Sequence, residues 1–136
     1  MTTYKIEEVE GIGPVYAQKL IAAGVKTTDD FLKVCADQKG RDKVAKDTGI
    51  SATHLLKWAN MADLMRIDGV GKQFAELLEG AGVDTVKELR NRRADNLATK
   101  MAEVNEKKKL CKVNPSEKEI SGWITQAKAM TPLITH

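Results

Sequence analysis

An internal repeat constrains this 136-residue chain more than any other feature of its sequence. Shifting the chain by 58 positions places Gly11-Ile12-Gly13 over Gly69-Val70-Gly71 and Gly24 over Gly82. We call the two triplets the first turn and the second turn. Apolar positions after the first turn also fall on apolar positions after the second. Chance can supply one such pair but not the whole series, so the sequence predicts two copies of one structural unit, at residues 1–62 and 63–136.

Each copy has the pattern of two helices joined by a tight turn. We expect a short helix to end at Val9 and at Ile67, because the glycines that follow favour conformations with positive φ. Pro14 is pre-organised for the first turn of the next helix. The apolar residues that follow recur at spacings of three and four, which indicates a helix. Gly24 and Gly82 then stand where a helix commonly ends in glycine.

The later parts of the two copies also correspond. Ser51 and Ser116 each stand seven residues before a tryptophan, Trp58 and Trp123, and each serine is a candidate N-cap. Between the second turn and its serine, the second copy is longer by seven residues, which fall near the lysine-rich stretch 106–112. The duplication therefore covers a whole unit and not only the turns.

These patterns predict an all-α fold in which the two copies pack as one compact body. No useful stretch of alternating apolar and polar residues predicts a strand, and the helix containing 58–64 is expected to continue into the second copy. The composition is 42% hydrophobic but only 4% aromatic, so the core should be mostly aliphatic. Residues 131–136 are expected to fray.

Several functional classes find no support in the sequence. There is no apolar run long enough to span a membrane and no apolar leader, so we expect a cytoplasmic protein. Cys35 and Cys111 suit small reduced thiols better than a disulfide. No nucleotide-binding loop, nucleophile motif, carboxylate pair or metal-ligand spacing is present. We therefore expect no enzyme activity, no cofactor, no bound metal cluster and no small-molecule substrate.

Two resemblances follow from these residues. The strings Val9–Pro14 and Ile67–Gly71 resemble the helix-hairpin-helix motif of DNA polymerases, glycosylases, ligases and recombination proteins. The wider chain resembles an uncharacterised bacterial family that is known as a domain of unknown function. That resemblance is carried by Lys39-Gly40-Arg41, Thr48–Ser51, Trp58, Ala62-Asp63-Leu64 and Val104–Lys108. It implies a fold of two tandem helix-hairpin-helix (SAM-like) units.

The helix-hairpin-helix resemblance also implies a mechanism, in which backbone amides of the turn hold a DNA phosphate without reading the base sequence. Carried onto this chain, the donors are the amides of Gly11, Gly13, Tyr16, Gly69, Gly71 and Phe74. A monovalent cation is sometimes held beside such turns by backbone carbonyls. Here the corresponding carbonyls belong to Glu7, Val9, Ile12, Met65, Ile67 and Val70.

The charge pattern leaves two functions open. The net charge is +3, and Lys19, Lys72, Arg90, Arg92 and Arg93 are candidate phosphate-binding side chains. The lysine-rich stretch could extend a phosphate track or simply form a solvated helix face. Acidic residues also surround the turns, namely Glu10, Asp68, Glu76 and Glu79. The leading hypothesis is sequence-independent DNA binding, and the alternative is a protein-interaction adaptor or self-associating scaffold without nucleic acid.

The aromatic residues have two interpretations as well. Trp58 and Trp123 could stack on bases. Their equivalent positions among apolar residues favour an anchoring role in the core instead, and Tyr16 and Phe74 are expected to pack there too.

Overall fold

The computed structural model describes residues 3–136, and within that range the chain contains eight α-helices and no β-strand. A short 3-10 helix, Ile6–Glu8, precedes the first turn. The α-helices are α1 Pro14–Ala22, α2 Thr28–Cys35, α3 Gln38–Thr48, α4 Ala52–Leu64, α5 Lys72–Gly80, α6 Val86–Leu89, α7 Ala94–Lys108 and α8 Glu117–Ala129. The predicted all-α class is confirmed. The division between residues 62 and 63 falls inside α4 and stays a prediction.

Side-chain caps start most of these helices. The Ser51 hydroxyl accepts the His54 amide at the start of α4, and the Ser116 hydroxyl accepts the Glu119 amide at the start of α8. Both predicted N-caps are therefore confirmed. Ser116 and Glu119 complete a reciprocal capping box, because the Glu119 carboxylate also accepts the Ser116 amide.

The glycines predicted to end helices do so with the same geometry in both copies. Gly24 has φ +90° and Gly82 has φ +91°. In each case the next residue folds back, so that the Val25 amide donates to the Leu20 carbonyl at 2.9 Å. The Val83 amide likewise donates to the Leu78 carbonyl at 2.9 Å. This pattern satisfies carbonyls at the helix end that would otherwise lack a partner.

Two expected helix ends before the turns were wrong. The 3-10 helix stops at Glu8 and Val9 is extended, while α4 stops at Leu64, before Ile67. Past Leu64 the hydrogen bonds span three residues, from the Ile67 amide to the Leu64 carbonyl. The chain therefore tightens into the second turn before the glycines are reached. The expected continuation of the helix through 58–64 is confirmed.

The core joins the two halves of the chain. Helix α2 packs on α4, α7 packs on α8, and α5 lies against both α4 and α7. Aliphatic side chains fill most of this core, together with Trp58, Trp123 and Phe31. No helix in residues 3–136 has both the length and the apolar character needed to cross a membrane.

A buried ion pair lies at the end of α4. The Asp63 carboxylate accepts a hydrogen bond from Arg66 at 2.8 Å, and its other oxygen accepts the Val86 amide at 2.8 Å. Asp63 is 1% exposed and Arg66 is 5% exposed. This one carboxylate therefore ties the end of α4 to the start of α6, across 23 residues of sequence.

Residues 131–136, which were expected to fray, make hydrogen bonds with two buried arginines. Arg66 donates to the Thr131 carbonyl at 3.1 Å and Arg41 donates to the Thr135 carbonyl at 2.6 Å. The Thr135 amide in turn donates to the Ala36 carbonyl at 2.8 Å. Ile134 also packs against the core. We call residues 131–136 the terminal strap.

We expect removal of the terminal strap to lower the free energy of unfolding by about 2–4 kcal/mol. This is less than the roughly 3–6 kcal/mol of two hydrogen bonds to charged groups, because the freed guanidinium groups regain water. Urea denaturation followed by circular dichroism measures the loss. Thr135→Ala is the matched control, because the Thr135 side chain is exposed and only its backbone is used. A truncated chain as stable as the full chain would show that the strap contributes nothing.

Candidate nucleic-acid interface

The first glycine of each turn is required by the fold itself. Gly11 has φ +92° and Gly69 has φ +96°, a backbone conformation that residues with a side chain rarely adopt. A Cβ on Gly11 would lie 3.1 Å from Nε1 of Trp58. A Cβ on Gly69 would lie 3.2 Å from Nε1 of Trp123. Backbone geometry and packing therefore explain these two glycines without any ligand.

The tryptophans beneath the turns are core residues. Trp58 is 2% exposed and Trp123 is 3% exposed, so neither offers a free ring face on which a base could stack. Tyr16 packs edge-on against Trp58 with ring centroids 5.1 Å apart, and Phe74 packs on Trp123 at 5.3 Å. Tyr16 and Phe74 are half-buried. The anchoring role expected of the tryptophans is confirmed.

The second glycine of each turn has no such structural cause. Gly13 has φ −80° and Gly71 has φ −91°, values open to any residue. A Cβ at either position would meet no atom within 4 Å. Both glycines occupy the N-cap of a helix, where they supply no capping side chain.

Most other helices of this chain fill the N-cap position with a side-chain acceptor. Among the helices described, α2, α3, α4, α6 and α8 begin with a Thr, Asp or Ser whose side chain accepts a backbone amide. Only α7 shares the lack of a side-chain cap with α1 and α5. The helices after the two turns therefore lack the side-chain N-cap hydrogen bond that five other helices of this chain have.

Unpaired amides result at both turns. The first helical hydrogen bonds run from Ala17 to the Gly13 carbonyl and from Ala75 to the Gly71 carbonyl, each at 2.9 Å. The amides before Ala17 and Ala75 therefore precede the hydrogen-bonded ladder of each helix. Within residues 3–136, all six predicted donor amides lack a protein acceptor. They are those of Gly11, Gly13, Tyr16, Gly69, Gly71 and Phe74.

The two turns differ in the chemistry around these amides. At the second turn, Gly69, Gly71, Lys72, Gln73 and Phe74 line an open concavity of about 400 Å³. Lys72 brings a positive charge and an amide of its own. At the first turn, Pro14 stands at the same place and has no N–H to offer.

The first turn is instead apolar and acidic. Val15 follows Pro14 and is 66% exposed. The neighbouring groove is lined by Glu7, Ile12, Pro14, Ala17, Gln18 and Ile21. A phosphate would find fewer donors here than at the second turn, while a carboxylate precedes each turn, Glu10 at the first and Asp68 at the second.

The predicted arginines do not lie at the turns. Arg92 pairs with Glu88 at 2.7 Å and donates to the Gly82 carbonyl at 3.0 Å, beyond the C-terminal end of α5. Arg93 pairs with Asp95 at 2.8 Å. The second turn lies at the opposite end of α5, and a nine-residue helix is about 13 Å long. Arg90 is half-buried in the same segment, and Lys19 lies in the last turn of α1. Of the candidate side chains, only Lys72 adjoins a turn.

The predicted cation-holding carbonyls are partly used by the chain. The Val9 carbonyl accepts the Ile12 amide and the Ile67 carbonyl accepts the Val70 amide, both at 3.1 Å. The Val70 carbonyl accepts the Tyr4 phenol at 3.4 Å. Each carbonyl has a second lone pair, so these bonds leave acceptor capacity at both turns.

Two residues that contact the second turn were missed by the sequence analysis. Tyr4 reaches Val70 from 66 residues away. Burial, followed by the carboxylates of Glu8 and Asp68, raises the pKa of the Tyr4 phenol, which therefore stays protonated at neutral pH. Gln126 brackets the backbone of Asp68, accepting its amide at 2.9 Å and donating to its carbonyl at 3.2 Å. Neither contact has a local sequence signal.

Neither cysteine has the features of a reactive nucleophile. Burial raises the pKa of the Cys35 thiol to about 12, so the reactive thiolate is not formed at neutral pH. Cys111 is half-buried, and burial followed by Glu76 raises its thiol pKa as well. Among residues 3–136, no group of His, Cys, Asp or Glu side chains could hold a metal ion.

Comparison with known proteins places the chain in a family. A search of curated proteins and a search of solved structures each gave no match. The family model described as Domain of unknown function (DUF4332) matches residues 10–130, a range that includes both turns and all eight α-helices. The chain therefore belongs to this family of domains of unknown function, as the resemblance of the wider sequence had indicated.

Proposed function

We propose that this chain binds DNA without sequence preference, by holding a backbone phosphate against the free amides of the second turn. One observation carries the proposal. The N-cap glycine of each turn is explained neither by its backbone angles nor by packing, and it leaves amides of the following helix unpaired. A glycine at that place lets a ligand approach the backbone. We infer further that the two turns belong to helix-hairpin-helix units, because their sequences resemble that motif.

The physical chemistry of the second turn favours an anion. The N-terminus of α5 carries the positive end of the helix dipole, and its first amides point away from the helix. Lys72 adds a full positive charge beside them. Together these groups offer several donors and a positive charge to the oxygens of a phosphate. Because every nucleotide carries the same phosphate, such a contact positions the chain without reading bases.

The second turn is the stronger candidate of the two. It has one more amide than the first turn, since Lys72 replaces Pro14, and it has a lysine where the first turn has none. Carboxylates stand at both turns, Glu10 before the first and Asp68 before the second, so the ranking rests on the extra amide and on Lys72. A monovalent cation, if one assists, would be held by the carbonyls of Met65, Ile67 and Val70.

Fluorescence anisotropy with a labelled DNA duplex tests the proposal. We expect a dissociation constant between about 1 and 100 µM at about 50 mM salt, and a progressive loss of affinity towards about 200 mM salt. The slope of log affinity against log salt should be shallow, about 1 to 3, because few phosphates are contacted. Duplexes of unrelated sequence should bind alike. No binding at about 50 mM salt would contradict the proposed function.

A second candidate function, protein interaction, is favoured by a separate observation. The helix after the first turn exposes Val15 and Ile21, where the helix after the second turn has Gln73 and Glu79, and this difference supports a protein contact at the first turn.

A further inference from the structure

Two large apolar side chains are exposed on α1, the helix that follows the first turn. Val15 is 66% exposed and Ile21 is 38% exposed. Ile21, but not Val15, lines the groove described above, of about 420 Å³, together with Ile12, Pro14 and Ala17. We call this surface the first-turn face.

The second copy shows that the fold does not need this apolar surface. The residues that correspond to Val15 and Ile21 are Gln73 and Glu79, and the residue that corresponds to Pro14 is Lys72. The helix forms in both copies with the same length of nine residues. The helix itself therefore does not require the apolar side chains of the first-turn face, and exposed apolar patches commonly mark contact sites.

A complementary surface lies in the insertion of the second copy. Residues 107–113, which we call the lysine loop, expose Lys107, Lys108, Lys109 and Lys112. Val113 stands among these lysines and is 73% exposed, the most exposed large apolar residue described. The first copy has no counterpart of this loop, as it lacks the seven extra residues.

The lysine loop is held in a fixed shape by a buried asparagine. Asn105 donates to the Cys111 carbonyl at 3.0 Å and to the Asn114 side chain at 2.8 Å, while its own carbonyl oxygen accepts the Cys111 amide at 2.9 Å. A loop that is already ordered loses little conformational entropy when it binds. The loop therefore presents Val113 and its lysines as a preformed surface.

The two surfaces are complementary in charge. The exposed residue Glu7 lines the first-turn face and the exposed residue Glu10 precedes the first turn, whereas the lysine loop carries four exposed ammonium groups. We propose that the lysine loop of one molecule docks on the first-turn face of a second molecule, with Val113 entering the apolar groove. The contact joins two different surfaces, so each molecule keeps one free face and one free loop, and association continues head to tail.

This association is weak and depends on salt. The proposed contact uses one inserted apolar side chain and a few ion pairs, and small interfaces are typical of transient complexes, so we expect a dissociation constant of about 10–100 µM. Screening of the lysine and glutamate charges should weaken it further as salt rises. The inference is independent of DNA binding, because it uses neither Gly71 nor Lys72.

Sedimentation velocity over about 10–500 µM protein, a range that brackets the expected affinity, is the test. At low salt the average mass of the wild-type chain should rise well above 15.0 kDa with concentration. Val15→Gln/Ile21→Glu installs the residues of the second copy and removes the face, while Val113→Glu removes the loop. Each variant alone should remain at 15.0 kDa. Mixed in equal amounts, they should form a dimer and nothing larger, since one intact face then meets one intact loop.

Val34→Gln is the control, because Val34 is 39% exposed on α2 and outside both surfaces. It should associate like the wild type, and circular dichroism should show all variants to be folded. A wild-type mass that stays at 15.0 kDa throughout contradicts the proposal, as does a mixture that fails to form the dimer. If the loop variant loses DNA affinity while wild-type mass never rises, the lysine loop serves nucleic acid and the self-association proposal is wrong.

Discussion

Replacing Asp63 by alanine is expected to lower the free energy of unfolding by about 3–5 kcal/mol, the loss that follows when one partner of a buried ion pair is removed. The substitution leaves the Arg66 guanidinium buried and without its carboxylate. It also leaves the Val86 amide without its acceptor at the start of α6. Without Asp63, the Arg66 guanidinium keeps one hydrogen-bond acceptor among the residues described, the Thr131 carbonyl. Its Nε atom has no partner among those residues.

Two further variants separate the ion pair from general loss of packing. Asp63→Asn keeps an oxygen for the Val86 amide and should cost less than Asp63→Ala. Asp63→Leu/Arg66→Met removes both charges and should recover much of the loss, since apolar replacements of a buried pair are often neutral. Urea denaturation monitored by circular dichroism gives the three values. An Asp63→Ala variant within about 1 kcal/mol of the wild type would mean that water solvates the pair after all.

Replacing Gly71 by aspartate should lower the affinity for DNA at least tenfold while leaving the fold as stable as before. Gly71 is the N-cap of α5, and a Cβ there meets no atom within 4 Å. Aspartate is among the preferred N-cap residues, so its carboxylate would accept the free Phe74 amide and add a few tenths of a kcal/mol of stability. The same carboxylate would occupy the place of the phosphate and repel it. Anisotropy with duplex DNA and urea denaturation give the two readouts.

Two controls accompany this variant. Gly13→Asp makes the same change at the first turn and should alter DNA affinity much less, because that turn has fewer donors. Gly122→Ala lies within α8 with open space around it, and it should raise stability by about 0.5–1 kcal/mol through helix propensity without changing DNA affinity. A Gly71→Asp variant that binds DNA like the wild type would remove the second turn from the mechanism.

Much of the local structure could be predicted because its causes are local. Ser51 and Ser116 cap helices, and Gly24 and Gly82 end them, through contacts with residues at most five positions away. The free amides of the turns follow from the same local rules, since the glycine N-caps can be read from the sequence. The difference between Pro14 and Lys72 is also visible in the sequence. This difference shows which turn is the better phosphate site only when the exposure of the neighbouring side chains is known.

The contacts that could not be predicted are long-range. Tyr4 reaches the second turn from 66 positions away, and Arg41 holds the terminal strap across 94 positions. No local pattern encodes either contact, and the strap was for that reason expected to fray. The distance of the candidate phosphate-binding arginines from the turns could not be predicted for a different reason. Their charges are visible in the sequence, but the ion partners of Arg92 and Arg93 and their place at the far end of α5 are not.

Amide chemical shifts test the central claim most directly, since that claim concerns individual N–H groups. A ¹⁵N-labelled chain titrated with a short DNA duplex should show its largest amide shifts at Gly71, Lys72 and Phe74, with smaller shifts at Gly13 and Tyr16. At the same DNA concentration, the shifts at Lys72 and Phe74 should be much smaller in the Gly71→Asp variant. If DNA binds while the second-turn amides stay unchanged, or if it does not bind at all, the second turn is not a phosphate site.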